Sequence, residues 1–103
     1  VYTQNTNTPP QKQEKVRKFA LSQNYPNPFN PTTKIEFSIE QSGHVKLEVF
    51  STTGQKVAEL INGLTTAGSH SVGFDASLLS SGIYIYRIVT QHGILSRKMI
   101  LVK

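Results

Sequence analysis

The sequence predicts an all-β fold: an Ig-like sandwich of two antiparallel sheets built from about seven strands. Three observations predict it. From Phe19 onward apolar and polar residues alternate, which is the period-2 pattern of half-buried strands. Glycine-bearing turn signals recur at short intervals along the same region. No stretch carries the apolar periodicity of a long helix.

Phe19-Ala20-Leu21 reads as a short first strand. The segment from Asn24 to Pro31 then holds three of the chain's five prolines, with three asparagines and two aromatics. Proline fixes its own φ and pushes the preceding residue toward extended geometry. Asparagine side chains can supply the hydrogen bonds that a ladder would otherwise make. The expectation is an ordered, extended lead-in with Tyr25 and Phe29 as anchors. Ile35, Phe37 and Ile39 form one face of the next strand, opposite Lys34, Glu36 and Ser38. Gln41-Ser42-Gly43 reads as a hairpin turn with positive φ at Gly43, leading to Val45, Leu47 and Val49 on the next inward face.

Ser51-Thr52-Thr53-Gly54 is a second tight turn, with Gly54 suited to the left-handed position of a G1 bulge. Lys56 to Leu60 is a short strand ended by the Asn62-Gly63 turn signal. Gly68 opens a strand in which His70, Val72 and Phe74 share a face. Ala76 to Ser81 is a connection, read as a helical turn capped by Asp75. Gly82 leads into Ile83–Val89, apolar on both faces and therefore central. Gln91-His92-Gly93 turns the chain into a last strand from Ser96 to Val102.

The 103 residues allow one small domain with a thin core. No cysteine is present, so neither disulfides nor thiolate zinc sites hold it together. The longest apolar run, Met99–Val102, is far short of the roughly 20 residues that cross a bilayer, so no direct membrane insertion is expected. With Val1 first and no signal peptide, the chain reads as a fragment of something longer or as a mature product. The formal charge of +5 is uneven. Residues 1–20 carry Lys12, Lys15, Arg17 and Lys18 against Glu14, while the remainder is near balance. Residues 1–18 therefore read as a flexible basic linker, and residues 19–103 as the domain. A basic face interleaved with stacking aromatics would indicate nucleic acid, and this is not that pattern.

Chemistry finds little footing. His44, His70 and His92 lack neighbours at metal-ligand spacing. The serines crowd into turns, and no nucleophile elbow surrounds any of them. Glu36, Glu40, Glu48 and Glu59 sit on polar strand faces or in turns, where solvated acids belong. No catalytic residue, metal or cofactor is expected. Exposed rings could bind carbohydrate, with Tyr25, Phe29, Tyr84 and Tyr86 as candidates. Phe29 and one of the two strand tyrosines read as core.

The run from Leu21 to Thr33, Leu-Ser-Gln-Asn-Tyr-Pro-Asn-Pro-Phe-Asn-Pro-Thr-Thr, resembles the opening of the type A C-terminal sorting domains of the type IX (Por) secretion system of Bacteroidetes. The resemblance continues through Gly43-His44-Val45, Val49-Phe50, Gly54-Gln55-Lys56-Val57, Ala67-Gly68, His70 and Phe74-Asp75. It ends with Ser81-Gly82-Ile83-Tyr84, Tyr86-Arg87 and Arg97-Lys98-Met99 up to Lys103. Phe74-Asp75-Ala76 stands where the family often has Trp-Asp-Gly, and Glu40-Gln41 where it often has proline.

The resemblance implies a non-catalytic address label, carried at the C-terminus of a cargo protein. Such a label is read by an outer-membrane translocon after periplasmic transit and removed by a sortase-like peptidase. The cargo then stays on the cell surface or is released. Asn24, Tyr25, Pro26, Asn27, Pro28, Phe29, Asn30, Pro31, Gly54, Gln55, Gly68, Asp75, Gly82 and Tyr84 are its mainly structural motif positions. Arg97, Lys98 and Lys103 bracket Met99, Ile100, Leu101 and Val102. This strand thus offers both pairing groups and a positive edge to the translocon. Two other classes stay open: an Ig-like accessory module, carbohydrate-binding or structural, and a relative of the Ig-like domain of flagellar hook-capping proteins, which shares the glycine-turn and Ser-Gly-Tyr-like pattern near the C-terminus.

Overall fold

The computed structural model describes residues 18–103, so the linker expected over residues 1–18 lies almost wholly outside the described residues. Seven strands form: β1 (Ala20–Leu21), β2 (Thr32–Ile39), β3 (Gly43–Ser51), β4 (Lys56–Thr65), β5 (Gly68–Asp75), β6 (Gly82–Thr90) and β7 (Gly93–Leu101). They make two antiparallel sheets, β1-β2-β5 and β4-β3-β6-β7, with no helix among the described residues. Because β4 lies beside β3 rather than β5, the order differs from the constant-type Ig arrangement.

The alternation places the core as expected. Ile35, Phe37 and Ile39 of β2 face Val45, Leu47 and Val49 of β3, Tyr84, Tyr86 and Ile88 of β6, and Met99 and Leu101 of β7. β6 is an inner strand, flanked by β3 and β7. Both Tyr84 and Tyr86 are core, not one of them. Each reconciles its hydroxyl with burial by donating to a backbone carbonyl, Tyr84 to Ser80 and Tyr86 to Ser22, both at 2.6 Å. The first is a tyrosine corner, bonding back to the chain just upstream.

Several expected turns came out differently. Gln41-Ser42-Gly43 is not a hairpin, because β2 and β3 lie in opposite sheets; it carries the chain across the sandwich, and Gly43 has no positive φ. Ser42 Oγ accepts from the Ala67 N–H at 3.0 Å, tying this crossing to the one between β4 and β5. Asn62-Gly63 does not turn at all. β4 continues to Thr65 because Leu60 and Ile61 gain burial against the core, and Asn62 bonds Glu59 and His44 rather than its own backbone. Asp75 makes a two-residue bond to the Ser77 N–H, and a single turn closed by Leu79 N–H to Ala76 C=O replaces the helical turn. Gly54 does adopt left-handed geometry, φ 92°, beside register shifts in β3, as a bulged hairpin requires. The final strand begins at Gly93 rather than Ser96, across a two-residue Gln91-His92 loop.

Two stability outcomes follow. Phe29 is 1% exposed and its ring lies 6.3 Å from that of Phe74. Phe29→Ala should cost about 3–5 kcal/mol in a urea titration, and a cost below about 1 kcal/mol would contradict its burial. Tyr86→Phe should cost about 2–3 kcal/mol, because it strands the Ser22 carbonyl and the Asn24 N–H, which donates to that hydroxyl at 2.8 Å. Burial pushes the Tyr86 hydroxyl above its ordinary value of 10.0. Its contribution is therefore complete below about pH 10 and is lost as alkaline pH ionises the ring. A Tyr86→Phe chain as stable as the parent would refute this role.

Candidate functional site

The Asn24–Pro31 segment is ordered by hydrogen bonds, but it is bent rather than extended. It is pinned at two points, an antiparallel bridge from Tyr25 to Lys34 and a parallel bridge from Phe29 to Leu101. Asn24 is its buried knot. Its N–H reaches Tyr86, and its Nδ2 donates to the Pro26 carbonyl at 3.1 Å and to Thr33 Oγ1 at 3.0 Å. The Thr33 hydroxyl donates in turn to the Pro26 carbonyl at 2.8 Å. The Pro31 carbonyl accepts from Ala76 at 2.8 Å. Pro26, Pro28 and Asn30 are exposed links between these ties. Tyr25 is not an anchor: its backbone pairs with Lys34, while its ring is 81% exposed.

This segment also occupies the outer edge of β7. Gln23 Nε2 donates to the Lys98 carbonyl at 2.7 Å, and the Ile100 N–H donates to Asn27 Oδ1 at 2.9 Å. Phe29 N–H donates to the Ile100 carbonyl, and its own carbonyl accepts from Val102, both at 2.9 Å. From the Lys98 carbonyl to the Val102 N–H, the outer-edge backbone groups of β7 are thus engaged within the chain. Asn27 supplies a ladder acceptor from its side chain, as the asparagine pattern led us to expect.

The seven C-terminal residues divide by role. Met99 and Leu101 are core. Arg97 Nε donates to the Leu21 carbonyl at 2.6 Å, tying β7 to β1. The Lys103 ammonium donates to the carbonyls of Ser77 and Leu79 at 2.7 and 2.9 Å, and its N–H to Ser81 Oγ. Lys98, Ile100 and Val102 are exposed. Gly54, Gly68 and Gly82 all hold positive φ, and the Gln55 carbonyl closes the β3–β4 hairpin by accepting from Ser51. These motif positions, with Asp75 and Tyr84, shape turns.

Glu48 is the residue that the alternation misplaced. Its carboxylate is only 5% exposed on the outer face of β3, ringed by Lys56 Nζ at 3.3 Å, Arg87 Nη2 at 3.5 Å and Lys46 Nζ at 3.7 Å. Long neighbouring side chains cover it, which a strand pattern cannot show. Arg87 also lies over the Phe50 ring, 4.5 Å from its centroid. Hydrogen bonding to Glu59 and then Glu48 raises the Lys56 pKa, and bonds from Asn62 and Lys56 lower that of Glu59.

The histidines are spent locally. His44 meets Asn62, while His70 bonds the Thr66 carbonyl and stacks on Phe37. No cluster of ligating side chains fit for a metal occurs among the described residues. Glu48→Gln should cost about 1–2 kcal/mol, less in 1 M salt, because its cations keep one face in water. A salt-independent change, or a gain in stability, would contradict the charge cluster.

No curated protein matches the chain. The family model described as the secretion system C-terminal sorting domain does match, over residues 23–103, which takes in every strand except β1. The motif positions that the match spans are the ones that clasp β7 and shape the turns of the sandwich. The chain belongs to the C-terminal sorting domain family of the type IX secretion system.

Proposed function

We propose that the chain is a non-catalytic secretion label whose C-terminal strand is read by the outer-membrane translocon. After passage through the periplasm, a sortase-like peptidase then separates the label from its cargo. Family membership implies contact with the type IX machinery, a cargo on the N-terminal side, and export to the surface or the medium. The observation that carries the reading is the family match across residues 23–103. A cysteine-free sandwich suits the job, since it folds without redox chemistry. Cleavage fits the polar stretch that the sequence marks as a linker, residues 1–18, on the cargo side.

An accessory carbohydrate-binding role is the second reading, and one observation favours it. The exposed Tyr25 ring borders an open recess of about 320 Å³ that also includes Thr32, Lys34, Ser71 and Gly73. Binding to a glycan array that Tyr25→Ala abolishes would support it.

The test is a folded reporter with a signal peptide, fused ahead of the 103-residue chain in a type IX host. The reporter should reach the surface or medium and should stay in the periplasm of a translocon-deficient strain. Equal export from both strains would refute the secretion role. Deleting Met99–Lys103 is a poor probe, since it removes two core side chains.

A further inference from the structure

We propose that the outer face of β3, β6 and β7 docks an acidic protein surface with an apolar centre, belonging to the receptor that reads this label. The proposal rests on the sorting reading and adds to it a face and a partner chemistry.

Cross-strand register builds the face. Phe50, Ile85 and Lys98 form one row, Glu48, Arg87 and Ser96 the next, and Ile83 pairs with Ile100. Outward positions on a solvated sheet are ordinarily polar. Here Ile83 and Ile100 stand 45% and 39% exposed side by side, and Val102, just beyond, is 51% exposed. Beside them lies an open recess of about 270 Å³, bounded by Phe50, Ser51, Gly54, Ile85, Arg87 and Ser96. It is large enough to take one leucine or phenylalanine side chain.

Charge selects the partner. This face carries Lys46, Arg87 and Lys98 against Glu48, and adjoining β4 adds Lys56 and Glu59. Glu48 is buried beneath its three cations, and Glu59 is paired with Lys56. Among the described residues no carboxylate lies within ion-pair distance of Lys98. Arg87 lies over the Phe50 ring and beside Glu48, with its side chain still 43% exposed. A carboxylate arriving over the recess would therefore meet two cations at the rim of an apolar patch, the arrangement that gives both steering and a desolvated centre. The opposite outer face, on β2 and β5, offers Thr32, Lys34, Glu36, Ser69, Ser71 and Asp75. It has no comparable aliphatic row and more acid than base. The sandwich is two-sided, and the exposed tail residues Lys98, Ile100 and Val102 belong to the sticky side.

Reporter fusions test this in a type IX host. Lys98→Glu and Ile100→Thr should each lower the exported fraction at least tenfold, Lys98→Arg should restore it, and Lys34→Glu on the opposite face should leave it unchanged. The thermal midpoint of purified Lys98→Glu should match the parent, which separates docking from folding. Export of Lys98→Glu at the parental level, or an equal loss with Lys34→Glu, would overturn the proposal. So would binding of the purified chain to phosphatidylglycerol vesicles that Lys98→Glu abolishes, since that would make the partner a lipid surface. Failure of the unsubstituted fusion to leave the periplasm would instead refute the sorting reading beneath it.

Discussion

The sandwich depends on one interaction, the clasp that Asn24–Pro31 places over the outer edge of β7. A two-sheet fold of this size must hold its sheets in register with a thin core, and its last strand has a neighbour on one side only. Three hydrogen bonds from Asn27 and Phe29 take up the free groups of Ile100 and Val102. The Phe29 ring fills the core behind them, and Asn24 fastens the same segment to Tyr86 on β6. Backbone pairing, apolar burial and a buried polar knot thus act at one seam. Because these terms share residues, they should fail together rather than additively.

The clasp changes what the C-terminal strand can do. An edge that is already paired cannot add to another sheet, so from Lys98 to Val102 the strand has only its side chains to offer. Alternation leaves Lys98 and Ile100 outward while Met99 and Leu101 anchor the core. The tail therefore presents Lys98 and Ile100 to solvent while remaining fastened to the domain.

Much of this was legible in the sequence. The inward rows of β2, β3 and β6 followed from alternation, because burial on one face enforces period two. The ordering of the proline segment followed from residue chemistry. Its destination did not, since nothing local to Asn27 says that its carbonyl will meet Ile100, 73 residues away. Asn62-Gly63 failed as a turn because pairing with β3 and burial of Ile61 outweigh a local preference. Gly43 failed as a hairpin because sheet membership is a long-range property. Glu48 read as solvated because its cover comes from long side chains on three strands, β3, β4 and β6. Tyr25 shared a motif with buried Phe29, yet its ring points to solvent.

Native-state amide hydrogen exchange at the C-terminal strand tests the clasp most directly. In the intact chain the Ile100 and Val102 amides should be protected nearly as well as those of Met99 and Leu101, which face β6. In Asn27→Ala, Ile100 should lose protection while Met99 and Leu101 keep theirs. If Ile100 and Val102 exchange in the intact chain at the rate of an unstructured peptide, β7 has an open edge and the account is wrong.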